Sequence, residues 1–395
     1  MMKILLIYEK YYPFDHAFIE SVYTQLLPEK GYKIICLART LENHRNRIEK
    51  WNEIEVHLFK IAKKPSFIWK RIQAINILIY AIYLYIKCKF DIVQVRNWEY
   101  GGLIGVILKK LFSVKFIFQR SFPHEENYKT KIEVGEISII GRFNLKTRLY
   151  LYPRILKRAD VIFAISDELK KRMVQIGVRD EIIHPIGLAF DKCAIPNSEK
   201  SRKLREQHNI NSSQVLIYFG AMSPERNIEF LIDIFKELLK KWNDLKLILL
   251  GGNIEDLQRL KKYAGYNGVK NSILFLEKVN RLDVANYLAL SYLSISPIPP
   301  ISRYMVSSPT KLYESLGLGI PVVGNNLPQQ GQVLKDSRGG KCVEYNKLEF
   351  VIAIDFLLSN PKKRYEMSEN GRRYILKHHT YNILAKKVDE IYKSL

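Results

Sequence analysis

SPTKLYESLGLGIPVV, residues 308–323, opens on a helix start and closes on the entry to a buried strand. Ser308 is a favoured N-cap and Pro309 a favoured first helical residue. A short expected strand at 293–296 and a proline-rich loop precede the stretch. Strand, helix and strand therefore follow one another, the unit from which helix-covered parallel sheets are built.

Outward from this stretch the alternation continues. Further strands are expected at 215–219, 246–250, 273–276, 321–323 and 341–344, with helices at 228–241, 255–264, 282–291, 310–316 and 347–358. Helices at 362–377 and 381–392 close the chain. In the first half, strands at 3–7, 33–37, 55–59, 91–95, 115–118 and 160–164 alternate with helices at 16–29, 66–88, 100–112, 143–157 and 167–176. NSEKSRKLREQHNINSS, residues 197–213, interrupts the pattern with charge and no apolar periodicity, and reads as the end of a linker. The expected fold class is α/β, with two Rossmann-like parallel-sheet domains, 1–195 and 196–378. Open parallel sheets bind ligands beyond the carboxyl ends of their strands. Two such sheets facing each other make a central cleft, and the loops after each strand are where chemistry is expected.

With 63 Lys and Arg against 40 Asp and Glu, the net charge is +23 over 395 residues. Such a charge attracts anionic lipid, nucleic acid or phosphorylated substrates without choosing among them; a Lys-rich coding bias is the competing cause. The four cysteines, Cys36, Cys88, Cys193 and Cys342, are scattered with no zinc-ligand spacing, which suits a reduced, intracellular protein. The apolar start before Glu9 reads as a buried strand rather than a signal peptide. The most apolar segment, 72–86, is unbroken only over 77–86, too short for a membrane span of ~20 residues.

Within the opening stretch, the helix start offers free N–H groups and a positive dipole end to a phosphate. Lys311 adds a full charge in the first turn, with Ser308 and Thr310 beside it. Glu314 lies one turn on, where a carboxylate can accept from both hydroxyls of a ribose. The same residues also read as a capped helix with a surface ion pair. FGAMSPERN, residues 219–227, follows the first strand of the second half. Gly220 permits a tight turn and close approach to the backbone. Arg226 at a helix start is disfavoured by the dipole, which suggests a compensating anion; an exposed Arg paired with Glu225 or Glu229 is the other reading. Gly251 and Lys278 follow the next two strands and complete the candidate lining.

These two strings resemble the donor-site segments of glycosyltransferase family 4, enzymes of the GT-B architecture. The resemblance implies that Glu314 holds the donor ribose while the start of its helix meets the diphosphate. Members often carry a second Glu eight positions earlier; here that position is Val306. Residues 219–227 resemble the family's phosphate loop, with Arg226 at its late cation position and Ala221 where an early Arg is common. ADVIFAISDELKKRM (159–173) and HPIGLAFD (184–191) are similar to the end of the family's first domain and its lead into the linker, with Ile186 replacing the usual Asn. In QRSFPHEEN (119–127), His124 falls where the family places a histidine near the reacting sugar; a surface His beside Glu125 and Glu126 is the alternative. Arg96, Asn97 and Arg120 are candidates on the acceptor side. The GT-B pattern implies that a closing helix, about 379–395, packs back on the first domain.

The expectation is a hexosyltransferase that moves a sugar from a nucleotide-diphosphate sugar to a glycan or lipid-linked acceptor, with retention implied by the resemblance. Catalytic residues would be Arg226, Lys311 and His124. No D-x-D, G-x-G-x-x-G or P-loop motif occurs, so no metal, no cofactor and no nucleic-acid partner is expected. Alternatives are a nucleotide-sugar epimerase of the same fold and a basic binding protein on a degenerate scaffold. The expected location is cytoplasmic, peripheral at the inner face of the plasma membrane. Segment 63–89 suggests anionic lipid: its apolar centre is flanked by Lys63, Lys64, Lys70, Arg71, Lys87 and Lys89 and carries Trp69, Tyr80, Tyr83 and Tyr85. Its apolar residues fall nearly all around, which equally reads as a helix buried on the first sheet.

Overall fold

Every residue of Val215–Phe219 is buried, and its alternate side chains enter two different cores. Leu216 and Tyr218 face one with Ile228, Leu231 and Ile354, while Val215, Ile217 and Phe219 face the other with Tyr287 and Leu288. A strand covered on both faces has no polar side, and this is why its sequence is continuously apolar. The computed structural model describes residues 1–12, 16–40, 48–60, 67–121, 139–210 and 214–395. The chain divides into two units, Met1–Gly187 with Asn382–Leu395, and Leu188–Tyr381.

The first unit contains β1 (Lys3–Tyr11), β2 (Lys33–Thr40), β3 (Ile48–Trp51), β4 (Ile54–Lys60), β5 (Ile92–Arg96), β6 (Lys115–Arg120), β7 (Val161–Ala164) and β8 (Ile183–Pro185). Their order is β3-β4-β2-β1-β5-β6-β7-β8, parallel except for the antiparallel pair β3–β4. The outermost strands, β3 and β8, escape a reading by apolar runs. β3 alternates exposed and half-buried residues, and β8 is three residues ending in Pro185, as an edge tolerates. The helix Tyr381–Lys393 is anchored in this unit: the Tyr392 hydroxyl donates to Gln94, and Tyr32 donates to Asp389 at 2.8 Å.

The second unit contains β9 (Val215–Phe219), β10 (Lys246–Gly252), β11 (Ile273–Glu277), β12 (Leu293–Ser296), β13 (Val322–Asn325) and β14 (Gly340–Val343), all parallel, in the order β11-β10-β9-β12-β13-β14. The order reverses between β9 and β12, so the connections after these strands leave in opposite directions and open a crevice at their carboxyl ends. In the first unit the same switch falls between β1 and β5.

Part of the stretch read as linker is a helix, Ser198–Gln207. Asn197 caps it, its side chain accepting from the Lys200 N–H at 2.9 Å. Arg205 ties its end to the carbonyls of Ile210 and Leu290 at 2.8 and 2.7 Å. Capping and polar bonds hold this helix, so apolar periodicity is not there to reveal it.

Candidate functional site

At the switch point of the second unit Gly220 follows β9, with φ +111 and its N–H donating to the Leu250 carbonyl at 2.7 Å. Gly251, with φ +108, lies one residue before the end of the neighbouring strand β10. A Cβ on Gly220 would sit 2.6 Å from the Lys311 Cε, and one on Gly251 3.1 Å from the Gly220 nitrogen. The lysine stem therefore lies across the Gly220 backbone, and only glycine fits both the positive φ and the contact. Gly220→Ala should cost about 1–3 kcal/mol in a denaturant titration and displace Lys311. An unchanged midpoint would mean that the lysine yields freely.

Lys311 stands in the first turn of the helix Thr310–Gly317, and its Nζ lies 3.6 Å from the centre of the Tyr218 ring. Burial pushes its ammonium well below the usual lysine range, Arg226 pushes it further, and Glu314 opposes. Tyr218 is buried beneath it and donates to the Ala221 carbonyl at 2.8 Å. Arg226 ends the turn Pro224–Arg226, and Asn227 follows in the left-handed region at φ +50 before the helix Ile228–Leu239 begins. Its guanidinium stacks on Tyr304, 4.1 Å from the ring centre.

The helix start differs in detail from the expected one. Pro309, not Ser308, occupies the cap position. The Ser308 hydroxyl instead accepts from the Leu188 N–H at 3.2 Å and donates to the Tyr313 hydroxyl at 3.3 Å. A serine within reach of a long-range donor is drawn from the local cap. No capping side chain occupies the N–H groups of the first turn, though that of Leu312 donates to the Pro309 carbonyl at 3.0 Å.

Glu314 lies one turn on. Burial raises its carboxyl to about 7; Arg281 pulls it down, Asp191 pushes it up and Lys311 pulls it down. Arg281 donates to Asp191 at 2.6 Å, and the pair is largely buried. The sequence marks neither as a site residue: Asp191 closes HPIGLAFD, residues 184–191, and Arg281 lies in no motif, so only the fold brings the pair to Glu314. Gly220, Gly251, Arg226, Lys311 and Glu314 are thus gathered at one end of the second sheet, with Thr310 opening the helix. Lys278 is an exposed residue just beyond β11.

In the first unit Arg96 and Arg120 end β5 and β6, and Asn97 follows β5. Arg96 is buried, donating to the Tyr8 hydroxyl at 2.9 Å and the Ser121 hydroxyl at 3.2 Å and meeting His16 Nε2 at 2.9 Å. Asn97, at φ +57, accepts from the Ser121 N–H at 2.7 Å. Arg120 is buried on the Tyr152 ring and pairs with Glu99 at 3.3 Å. Arg96 and Asn97 thus meet at Ser121 just past β6, whereas Arg120 reaches Glu99 and Tyr152 on the helices Glu99–Phe112 and Ile139–Leu156. His124 lies outside the described residues. Among the described residues no group of three or more His, Cys, Asp or Glu is arranged to hold a metal ion, and no helix is long and apolar enough to cross a membrane.

Residues 200–374 match the family model of glycosyl transferases group 1, and residues 23–191 match that of Glycosyltransferase Family 4. An uncharacterized glycosyltransferase of Methanocaldococcus jannaschii is 24% identical over 95% of this chain and 94% of its own length. The alpha-monoglucosyldiacylglycerol synthase of Streptococcus pneumoniae is 24% identical over 99% and 85%. Among solved structures, the sucrose-phosphate synthase of Thermosynechococcus elongatus superposes with a TM-score of 0.78 at 14% identity, covering 100% of this chain and 99% of that one. Anabaena HepE in complex with UDP-glucose superposes with a TM-score of 0.73 at 16% identity, covering 100% of both chains. With these two models matching most of both units, and sugar transferases as relatives over nearly its whole length, the chain belongs to glycosyltransferase family 4 and is a sugar-transferring enzyme with the two-domain GT-B fold.

Proposed function

We propose that the enzyme takes a hexosyl group from a nucleoside-diphosphate sugar and passes it, with retention, to a glycan or lipid-linked acceptor in the cytoplasm. The observation that carries this reading is the packing of Lys311 across Gly220 at the switch point, with Arg226 near it and Glu314 one turn away. Lys311 is buried with Arg226 pushing against it, and like charges so placed are costly unless an anion joins them. When the bond from the anomeric carbon to the phosphate oxygen breaks, its electron pair leaves with the diphosphate. Arg226, Lys311 and the uncapped helix start stabilise that charge where it develops. Glu314 accepts from the ribose hydroxyls. Gly251 and Lys278 are assigned to the nucleotide, Arg96, Asn97 and Arg120 to the acceptor, and His124 keeps the role toward the sugar that the family resemblance implies. The UDP and UDP-glucose complexes of HepE support a nucleotide-sugar donor. Donor hydrolysis across a panel of UDP-, GDP- and dTDP-sugars tests the reading; no turnover and no thermal stabilisation by any of the diphosphates would refute it.

The cations named here need no metal to neutralise the leaving group. Activity is therefore expected to persist in EDTA, and loss on chelation with recovery in Mn²⁺ or Mg²⁺ would replace this account with a metal-assisted one.

An anionic membrane surface is proposed as a partner of the first unit. The helix Phe67–Cys88 buries Gln73, Ile77, Ala81 and Leu84, while Ile72, Ile75, Ile79, Tyr83 and Ile86 remain exposed on its other side. The exposed residues recur at helical spacing, with Arg71, Lys87 and Lys89 among them. The helix Glu99–Phe112, packed beside it, adds exposed Ile107, Lys110 and Leu111. Apolar side chains between cations suit lipid head groups, at ~1 kcal/mol per cation. A two-fold contact with a second copy would set these cations against themselves. Co-sedimentation with phosphatidylglycerol vesicles at low salt is expected, and its absence would leave a soluble acceptor as the better reading.

A further inference from the structure

The ring of Tyr304 carries two guanidiniums. Arg226 lies 4.1 Å from its centre and Arg303 4.7 Å, and Arg303 also donates to the Tyr304 hydroxyl at 3.1 Å. They come from different loops: Arg226 follows β9, while Arg303 sits in the short helix Ser302–Met305 between β12 and the helix of Lys311. These are the two strands of the switch point. Tyr304 is buried, at 5% exposure, and the Arg303 side chain is largely enclosed, at 12%. A tyrosine ring attracts each cation, yet the cations repel one another, and Lys311 already feels Arg226. The Glu225 carboxylate approaches Arg303 only to 3.8 Å and is half exposed, which makes it a weak counter-ion. A diphosphate entering beside them would relieve the repulsion and take a second planar fork of donors.

We infer that Arg303 is the second guanidinium of the donor diphosphate site, standing in for the cation that Ala221 does not supply on the loop after β9. The inference rests on the donor reading above. Glu225 then competes with the diphosphate for Arg303 and yields it when the diphosphate arrives. A motif search along the loop after β9 cannot find this residue, because Arg303 reaches the site from the other side of the switch point.

The test is calorimetric titration of the wild type and of Arg303→Ala, Arg303→Lys and Glu225→Gln with UDP and GDP, and with uridine and guanosine, alongside melting temperatures. Arg303→Ala should weaken the diphosphate that binds by at least ~10-fold, the loss of a charge-assisted hydrogen bond, and leave the matching nucleoside within ~2-fold. Arg303→Lys should recover part of the loss, since it keeps the charge but not the fork. Glu225→Gln should tighten the diphosphate by a few-fold, roughly the strength of an exposed ion pair. If Arg303→Ala weakens nucleoside and diphosphate alike, Arg303 merely holds the loop and the inference is overturned. A diphosphate affinity unchanged in Arg303→Ala overturns it as well, while leaving the donor reading intact. Should the alanine variant fold poorly, the lysine and Glu225 variants decide alone, and no change in either overturns the inference. If the wild type binds neither diphosphate, the donor reading falls and this inference with it.

Discussion

Lys311→Ala and Arg226→Ala are each expected to lower kcat by at least ~100-fold, the scale on which a preorganised charge acts on a developing anion. Each lies at the switch point of the second sheet, where the leaving diphosphate is proposed to sit. The two side chains do different work before the donor arrives. Burial holds the Lys311 ammonium well below the ordinary lysine range, so the empty enzyme tolerates it at a cost. For a lysine depressed in this way the unfolded chain binds the extra proton, and folding stability rises with pH up to the ordinary lysine value. Lys311→Met, which keeps the stem over Gly220 and removes the charge, should therefore melt higher than the wild type at pH 7 while losing activity. Arg226→Ala loses its stacking on Tyr304 and should gain no such stability. Transfer rates within a few-fold of wild type in either alanine variant would remove that residue from the mechanism.

Glu314→Gln should weaken the nucleoside diphosphate by about 30-fold, near the value of hydrogen bonds to a charged acceptor. The carboxyl is raised to about 7, chiefly by burial, against an ordinary value of 4.5. Ribose hydroxyls donate to the ionised form, so wild-type affinity should climb between pH 6 and 8 more steeply than that of the Gln variant, which keeps only the ionisation of the diphosphate itself. Stability moves the other way. A carboxyl raised on folding contributes fully below about pH 4.5, and that contribution is lost as pH rises through about 7. Above pH 7 the Gln variant should therefore be the more stable protein and the weaker binder. Calorimetry at three pH values reads the first effect and thermal melts the second. An affinity that Glu314→Gln does not alter would end the ribose assignment.

By itself the sequence determined the α/β class, the central strands of both sheets and the helix carrying Lys311 and Glu314. Central parallel strands are covered on both faces, so β9 is written as one apolar run, and a proline ahead of an amphipathic turn announces the helix after it. Signals of this kind are local, and local signals survive in a one-dimensional string. The tertiary structure alone decided the rest. Only there does Ser308 leave the cap for Leu188, does the charged stretch 198–207 become a helix tied down through Arg205, and does Phe67–Cys88 turn a row of isoleucines outward. Only there do Asp191 and Arg281 pair beside Glu314, and Arg226 and Arg303 share the ring of Tyr304. Each of these depends on which side chain a distant strand or loop brings within a few ångströms. The energy of such a contact belongs to the pair and is carried by neither residue's own neighbours in the chain.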